Sequence, residues 1–285
     1  MKLTQIWKED RIILGMETER GIVDIPAEAA RRGICAPVTM LDAIRTGEEG
    51  MAVLRQLAQR ATCFTEGKAA PVVTGCDKIL CIGLNYRQHA KECNLPLPSA
   101  PVLFNKFTNA LAADGDSVYL DPTYVEYDYE AELVAVIGRP ARNVSAEDAL
   151  DYVFGYTCGN DLSTRDLQFA RSNQWLLSKT FDGFAPIGPC VVTADAIDPS
   201  DLPISSTVNG EKRQDSRTSD MIFSVGEIIA DLSKHFTLLP GDLIFTGTPQ
   251  GVMHGYPADR KNWLKPGDRV EVTIGGIGTL KNTFR

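Results

Sequence analysis

Two glutamates beside an apolar run constrain the fold of this sequence more than any other feature. Glu130 and Glu132 lead into residues 133–137, a continuous apolar stretch that predicts a buried strand. Side chains two positions apart in a strand point to the same face, so both carboxylates would stand over the core. An unpaired carboxylate loses several kcal/mol on leaving water, so cations, shared protons or a metal ion must compensate the pair.

A third acid, Asp161, follows a segment that can carry the chain back across the sheet. Three carboxylates suit a hard divalent cation, and all-oxygen ligation favours Mg²⁺, Mn²⁺ or Ca²⁺ over Zn²⁺. The three histidines, His89, His235 and His254, form no zinc-binding pattern, which argues against a zinc hydrolase. The alternative for the glutamate pair is a half-exposed strand whose acids face solvent or meet lysines.

Composition excludes several classes of protein. The 285 residues, 44% of them hydrophobic, suffice for one large or two modest globular domains. A net charge of -8 without a long basic block argues against nucleic acid and anionic membranes as partners. No apolar run approaches the ~20 residues of a membrane helix, and the amino terminus lacks a signal core, which predicts a cytoplasmic protein. Seven cysteines without a Cys-x-x-Cys pair fit reduced, mostly buried thiols.

The chain divides by pattern near residue 70. Residues 1–70 predict a small amino-terminal domain, with strand-like pieces and a helical pattern at 51–57, and residues 71–285 predict the catalytic domain. Beyond Lys78, short apolar runs punctuated by Gly and Pro predict strands at 78–83, 187–192, 242–247 and 269–274. A capping box from Ser145 predicts a short helix, and apolar spacing predicts another at 222–232.

Several polar residues occupy positions where chemistry is expected. A helical turn would put His89 and Glu92 on one face, and a carboxylate beside an imidazole raises the basicity of that imidazole, as a water-activating base requires. The alternative is that His89 and Glu92 form an exposed pair on the protein surface. Lys179 could likewise be an ordinary surface lysine. The glycine-rich loop around Thr248 fits a turn near a ligand, or a purely structural turn, and lacks the lysine of a P-loop.

Together and in this order, these segments resemble the fumarylacetoacetate hydrolase family from about Lys78 to Arg285. The resemblance is carried by IGLNY (82–86), DYEAEL (128–133), NDLSTRDLQ (160–168), KTFD (179–182), VNGE (208–211), TSDMIF (218–223) and LPGDLIFTGTP (239–249). It implies a mixed β-sandwich roll, an α+β fold that is mostly β, assembled as a homodimer. It also implies an enzyme that acts on a small-molecule 2-oxo acid substrate.

The resemblance assigns roles to individual residues. A divalent cation, Mg²⁺ or Mn²⁺ with Ca²⁺ as a further option, would be held by the residues matching Glu130, Glu132 and Asp161. The metal would chelate the carboxylate and keto oxygens of the substrate and stabilise an enolate. Residues that assist by holding the substrate carboxylate, balancing charge or lining the site would be Arg165, Gln168, Lys179 and Thr248.

By the same resemblance, His89 and Glu92 lie in a mobile lid, where they would orient and deprotonate water. This favours a hydrolytic or decarboxylating member over a pure tautomerase. The leading expectation is hydrolysis of a C–C bond in a 2,4-dioxo acid, an acylpyruvate or a 2,4-dioxo-3-deoxy sugar acid, releasing pyruvate and a carboxylic acid. The alternatives are oxaloacetate decarboxylation, isomerase, hydratase or lyase activity on a related 2-oxo or ureido acid, and a binding protein on an inherited enzyme fold.

Two residues beyond the glycine loop depart from the family pattern. His254 and Tyr256 stand where many relatives carry small residues, so they would either contact the variable end of the substrate or face solvent. His235 is expected to be structural, at a helix end.

Overall fold

A computed structural model describes residues 1–170 and 175–285 of the chain. Its strands are β1 Lys2–Lys8, β2 Arg11–Thr18, β3 Gly21–Asp24, β4 Phe64–Thr65, β5 Ile79–Gly83, β6 Val102–Lys106, β7 Leu111–Ala112, β8 Ser117–Val118, β9 Tyr127–Asp128, β10 Ala131–Ile137, β11 Val153–Asn160, β12 Ser163–Thr164, β13 Ala185–Thr193, β14 Pro203–Val208, β15 Glu211–Arg217, β16 Leu243–Phe245, β17 Arg269–Ile274 and β18 Gly278–Phe284. Its α-helices are α1 Ile25–Arg32, α2 Met40–Ala58, α3 Arg87–Glu92, α4 Arg165–Ala170, α5 Leu176–Lys179 and α6 Val225–His235.

A large mixed sheet forms the centre of the molecule. Its strands run in the order β4-β3-β2-β1-β13-β11-β10-β16-β5-β6, and β7 pairs with β13. Strand β10 is antiparallel to both of its neighbours, β11 and β16, whereas β16 and β5 are parallel. The start of β10 therefore lies beside the ends of β11, β16 and β5, and the loops that follow these three strands meet there.

The apolar run of β10 is buried on both faces of the sheet, which explains why it shows no alternation. Leu133 and Ala135 belong to a core shared with the five-stranded sheet β15-β14-β17-β18-β8. Val134 and Val136 belong to a second core, completed by apolar residues of β1, β2, α1 and α2. The predicted buried strand is confirmed at this position.

The amino-terminal region is joined to the central sheet. Strand β1 pairs with β13, with Lys2 opposite Val192 and Leu3 opposite Val191. The division into domains at 1–70 and 71–285 stays a prediction. Among the helices of the described residues, none combines the length and the apolar character that crossing a bilayer requires.

Other predicted elements are found with shifted bounds. Strands occur at each of the four predicted positions, as β5, β13, β16 and β17. Helix α6 begins three residues later than predicted because Ser224 and Glu227 form a reciprocal capping box at its start. At the capping box predicted from Ser145, Ser145 and Asp148 do bond to each other, but the helix that follows is a short 3₁₀ turn, Ala149–Tyr152.

Candidate active site

The three predicted metal-binding acids meet at the start of β10. Glu130 and Glu132 lie on either side of the first residue of that strand, and Asp161 directly follows β11. The backbone N–H of Asp161 donates to the carbonyl oxygen of Glu130 at 2.9 Å, which locks the two segments together. One carboxylate oxygen from each acid lies within 4.8 Å of the others, and all three side chains are buried. The alternative of solvent-facing glutamates is therefore wrong.

Buried cations surround two of the three acids. Lys179 Nζ bridges Glu130 Oε2 and Asp161 Oδ2, at 2.8 Å from each. The Arg165 guanidinium contacts Glu130 Oε1 at 2.5 Å and Asp128 Oδ2 at 2.9 Å. These pairs lie in the interior, where a charge that lost its partner would be strongly destabilising.

The third acid, Glu132, is placed differently. Its Oε2 accepts a hydrogen bond of 2.7 Å from the backbone N–H of Gly247, and within the described ranges it has no salt bridge. Gly247 has a φ of +97°, and a Cβ there would lie 2.7 Å from the Cβ of Asn85, so the position requires glycine.

The pKa values of the two glutamates are shifted in opposite directions. Burial raises the pKa of Glu130, but the charges of Lys179 and Arg165 outweigh it and hold that pKa well below its usual value. Burial, together with the like charges of Asp161 and Glu130, raises the pKa of Glu132 well above its usual value. A cation beside Glu132 would compensate the negative charge of its carboxylate and so lower this pKa.

The predicted His–Glu pair forms on α3. His89 Nδ1 lies 3.2 Å from Glu92 Oε2, and both Glu92 oxygens accept from the backbone N–H of Gly251, at 3.1 and 3.2 Å. Burial lowers the pKa of His89, but hydrogen bonds with Cys93 and Glu92, with the charges of Cys93 and Glu130, raise it overall to about 9. The imidazole is therefore protonated at neutral pH in the metal-free protein.

A cavity of about 270 Å³ lies between α3 and the acid cluster. Its apolar walls include Ile82, Phe104 and Trp175. The predicted site residues that line it are His89, Glu130, Glu132, Arg165, Gln168, Lys179 and Thr248. The volume suits a small organic acid.

The remaining predicted residues take supporting positions in this cavity. The Arg165 guanidinium donates to Gln168 Oε1 at 2.9 Å, so the two side chains act as one unit. Thr248 donates to the carbonyl of Ala131 at 3.0 Å and accepts from Gln214 at 2.8 Å, which fixes its hydroxyl at the wall.

Two charged residues of the cluster, Asp128 and Lys106, were not predicted from the sequence. Asp128 precedes the glutamates at the same two-residue spacing, and that alternation was the signal that could have found it. Lys106 is fully buried, donates to the carbonyls of Leu162 and Phe184, and lies 2.5 Å from Asp161 Oδ1 without hydrogen-bond geometry. Burial lowers the pKa of Lys106 despite the Asp161 charge. The sequence signal that could have identified Lys106 was its position as a lysine at the end of a strand with apolar residues.

The unusual residues after the glycine loop have different surroundings. His254 lines the cavity, and its ring stacks on Phe169 with centroids 5.1 Å apart. Burial, with the charges of Arg165 and Lys261, lowers the pKa of His254. Tyr256 instead packs beside the Arg213 guanidinium. Of the two residues, His254 faces the candidate site.

Sequence comparison matches residues 78–285 to the fumarylacetoacetate (FAA) hydrolase C-terminal family. The chain belongs to the fumarylacetoacetate hydrolase family. It is 47% identical over 227 residues to "Fumarylacetoacetate hydrolase domain-containing protein 2 homolog" of Dictyostelium discoideum, covering 76% of this chain and 73% of that protein. It is 40% identical over 277 residues to "Oxaloacetate tautomerase FAHD2A, mitochondrial" of Bos taurus, covering 94% of this chain and 86% of that protein.

Structural comparison confirms the predicted fold class, a sheet-dominated α+β fold of the fumarylacetoacetate hydrolase type. The maleylpyruvate hydrolase of Sphingobium sp. SYK-6, solved with manganese(II) and pyruvate, matches with a TM-score of 0.81 and 29% identity, covering 100% of this chain and 98% of that one. The chain thus belongs to a family of enzymes that includes tautomerases and hydrolases.

Proposed function

We propose that this protein is a divalent-metal-dependent enzyme that interconverts the enol and keto forms of a short 2-oxo dicarboxylic acid of the oxaloacetate type. The observation that carries the proposal is the His89–Glu92 pair, whose buried imidazole lines the cavity that also holds the acid cluster. The identity of 40% to an oxaloacetate tautomerase over nearly the whole chain supports the choice of reaction.

The acid cluster fits a hard divalent cation. Glu130, Glu132 and Asp161 offer three carboxylates in a group of the size that one ion can bridge, and Glu132 is buried beside two like charges. We propose Mg²⁺ or Mn²⁺, and Mn²⁺ is present in the related maleylpyruvate hydrolase. When bound, such an ion would supply a Lewis acid for the carboxylate and 2-oxo oxygens of the substrate.

The cationic side chains would hold the substrate and balance its charge. Arg165 and Gln168 present donors at the cavity wall, which suits recognition of a carboxylate. Lys179 stands between two of the acids, so its charge also lies near the place where an enolate would form.

His89 would move the proton at carbon 3. In the direction from enol to keto form, the C2 hydroxyl releases its proton to solvent and C3 gains one from the imidazolium. The neutral imidazole then recovers a proton from solvent, so no proton and no water is consumed overall. Glu92 stabilises the imidazolium and fixes the ring. The sequence favoured water activation by this pair; with its pKa raised to about 9 in the metal-free protein, the imidazole would equally serve as a proton donor.

Hydrolysis of a 2,4-dioxo acid is the second candidate. The likeness to a maleylpyruvate hydrolase over the whole chain favours it. In that reaction His89 would first lose its proton and then activate water against the distal carbonyl, as the sequence predicts.

Substrate tests on metal-stripped protein, with and without added Mg²⁺ or Mn²⁺, separate these reactions. We expect fast, metal-dependent loss of enol absorbance from freshly dissolved oxaloacetate, without pyruvate, and loss of that activity in His89→Gln. Release of pyruvate with a carboxylic acid from an acylpyruvate, at a higher kcat/KM, would establish the hydrolase instead. Pyruvate from oxaloacetate would indicate the decarboxylase.

A further inference from the structure

We propose that His89, Glu92 and Cys93 form a second metal site, which takes Zn²⁺ and thereby inhibits the enzyme. The site has nitrogen, oxygen and sulfur donors, unlike the all-oxygen acid cluster. Its binding chemistry does not depend on the reaction; only the inhibitory effect rests on the proposed role of His89.

The three donors share one face of the lid helix. Their spacing of i, i+3 and i+4 brings them together at the end of α3, where Cys93 is the capping residue. Nδ1 of His89 lies 3.2 Å from Glu92 Oε2 and 3.9 Å from Cys93 Sγ, and the three ligand atoms lie within 4.8 Å of one another.

These separations fit tetrahedral zinc. With Zn–N, Zn–O and Zn–S bonds of about 2.0 to 2.3 Å, tetrahedral angles place nitrogen about 3.4 Å from oxygen and about 3.6 Å from sulfur. The two distances from Nδ1 differ from these by a few tenths of an ångström, and the Glu92 oxygen and Cys93 Sγ lie within 4.8 Å of each other. Small side-chain rotations would close the difference, and a water in the cavity can complete the coordination.

The two sites should prefer different metals because they offer different ligand atoms. A thiolate and an imidazole favour Zn²⁺, whereas carboxylates alone favour Mg²⁺ or Mn²⁺. Zinc on Nδ1 would displace the proton that His89 carries there, and the Cys93 thiol would release its proton to solvent. The ring would keep only its Nε2 proton, which a neutral, metal-bound imidazole donates far less readily than an imidazolium does.

Cobalt(II) provides a direct test of binding. In the full-length protein with excess Mg²⁺, Co²⁺ should produce a thiolate-to-cobalt charge-transfer band, because only the second site supplies sulfur. The band should be lost in Cys93→Ser and kept in the matched control Cys35→Ser, which removes an exposed thiol elsewhere. A band of equal strength in Cys93→Ser would overturn the proposal, whether or not the protein shows the proposed activity.

Inhibition is measured on the same proteins, each relative to its own zinc-free rate. Zn²⁺ should inhibit the wild type in a way that excess Mg²⁺ does not reverse, and Cys93→Ser should need at least about tenfold more Zn²⁺. Equal sensitivity of the two proteins, or full reversal by Mg²⁺, would mean that zinc acts at the acid cluster.

A third measurement needs no variant. In the wild type, Zn²⁺ should protect Cys93 from iodoacetamide, read by peptide mass spectrometry, while Cys35 still reacts. Unchanged alkylation of Cys93 at saturating Zn²⁺ would also refute the site.

Discussion

Substitution of Gly255 by alanine tests whether a distant backbone position sets the proton affinity of His89. Gly255 ends the 3₁₀ turn Met253–Gly255, and a Cβ there would lie 2.3 Å from Cδ and 2.6 Å from Oε2 of Glu92. Since the backbone of Gly255 is not in the left-handed region, alanine can adopt it. The Glu92 carboxylate must then shift, and we expect the shift to break its hydrogen bond to the imidazole.

The size of the effect follows from the lost hydrogen bond. A bond to a charged group contributes about 1.5 to 3 kcal/mol, and one pKa unit corresponds to about 1.4 kcal/mol. Because the Glu92 side chain is 21% exposed, we use the lower value and expect the pKa of His89 to fall by about one unit from about 9. The protonated fraction would drop roughly threefold at about pH 8.5 and hardly change at about pH 6.5.

Two measurements follow this change. The alkaline limb of the pH profile of kcat/KM should move to lower pH by about one unit, and an NMR titration of His89 in metal-free protein should show the same shift. As the control, Gly255→Ala should add little to Glu92→Ala in a double-mutant cycle. A uniform loss of activity at every pH, without a shift, would refute the reasoning and leave Gly255 a packing residue.

Three other substitutions test the acid cluster and the cavity wall. Glu132→Gln should abolish metal-dependent turnover and the rise in Tm on adding Mg²⁺. It should not lower the Tm of the metal-free protein, because the amide oxygen can still accept from Gly247 and brings no charge into the site; undiminished turnover would contradict the site. Lys179→Met should lower the free energy of unfolding by about 3 to 5 kcal/mol in denaturant titrations, whereas the exposed control Lys212→Met should not. His254→Phe keeps a ring against Phe169 and removes the ring N–H, so KM should rise for dicarboxylic more than for monocarboxylic 2-oxo acids; equal changes would exclude a role in selectivity.

The local parts of the site could be predicted because they depend on short-range periodicity. The alternation of Glu130 and Glu132 in a strand and the turn that joins His89 to Glu92 are encoded within a few residues. The strands punctuated by Gly and Pro are encoded in the same way. The predicted homodimer and cytoplasmic location stay predictions.

The remaining parts depend on contacts between distant segments. Lys106 reaches Asp161 only because the chain folds β6 and β11 into one sheet, and the spacing of residues does not specify that order. The pKa of His89 likewise depends on how burial and neighbouring groups balance, and Glu92 is itself held by a loop more than 150 residues away. Sequence patterns report the types of residue available, whereas their protonation depends on three-dimensional surroundings.

The double-sided burial of β10 limits which fragments of this chain could work alone. A fragment starting at residue 78 would keep every side chain proposed for catalysis, and it corresponds to the part that matches the family. It would nevertheless strip α1, α2 and the first strands from Val134 and Val136. This would expose a broad apolar surface on the face of β10 that also carries Glu132. We expect such a fragment to aggregate. We therefore expect the amino-terminal segment to be needed for a stable catalytic scaffold, although it supplies none of the proposed catalytic groups.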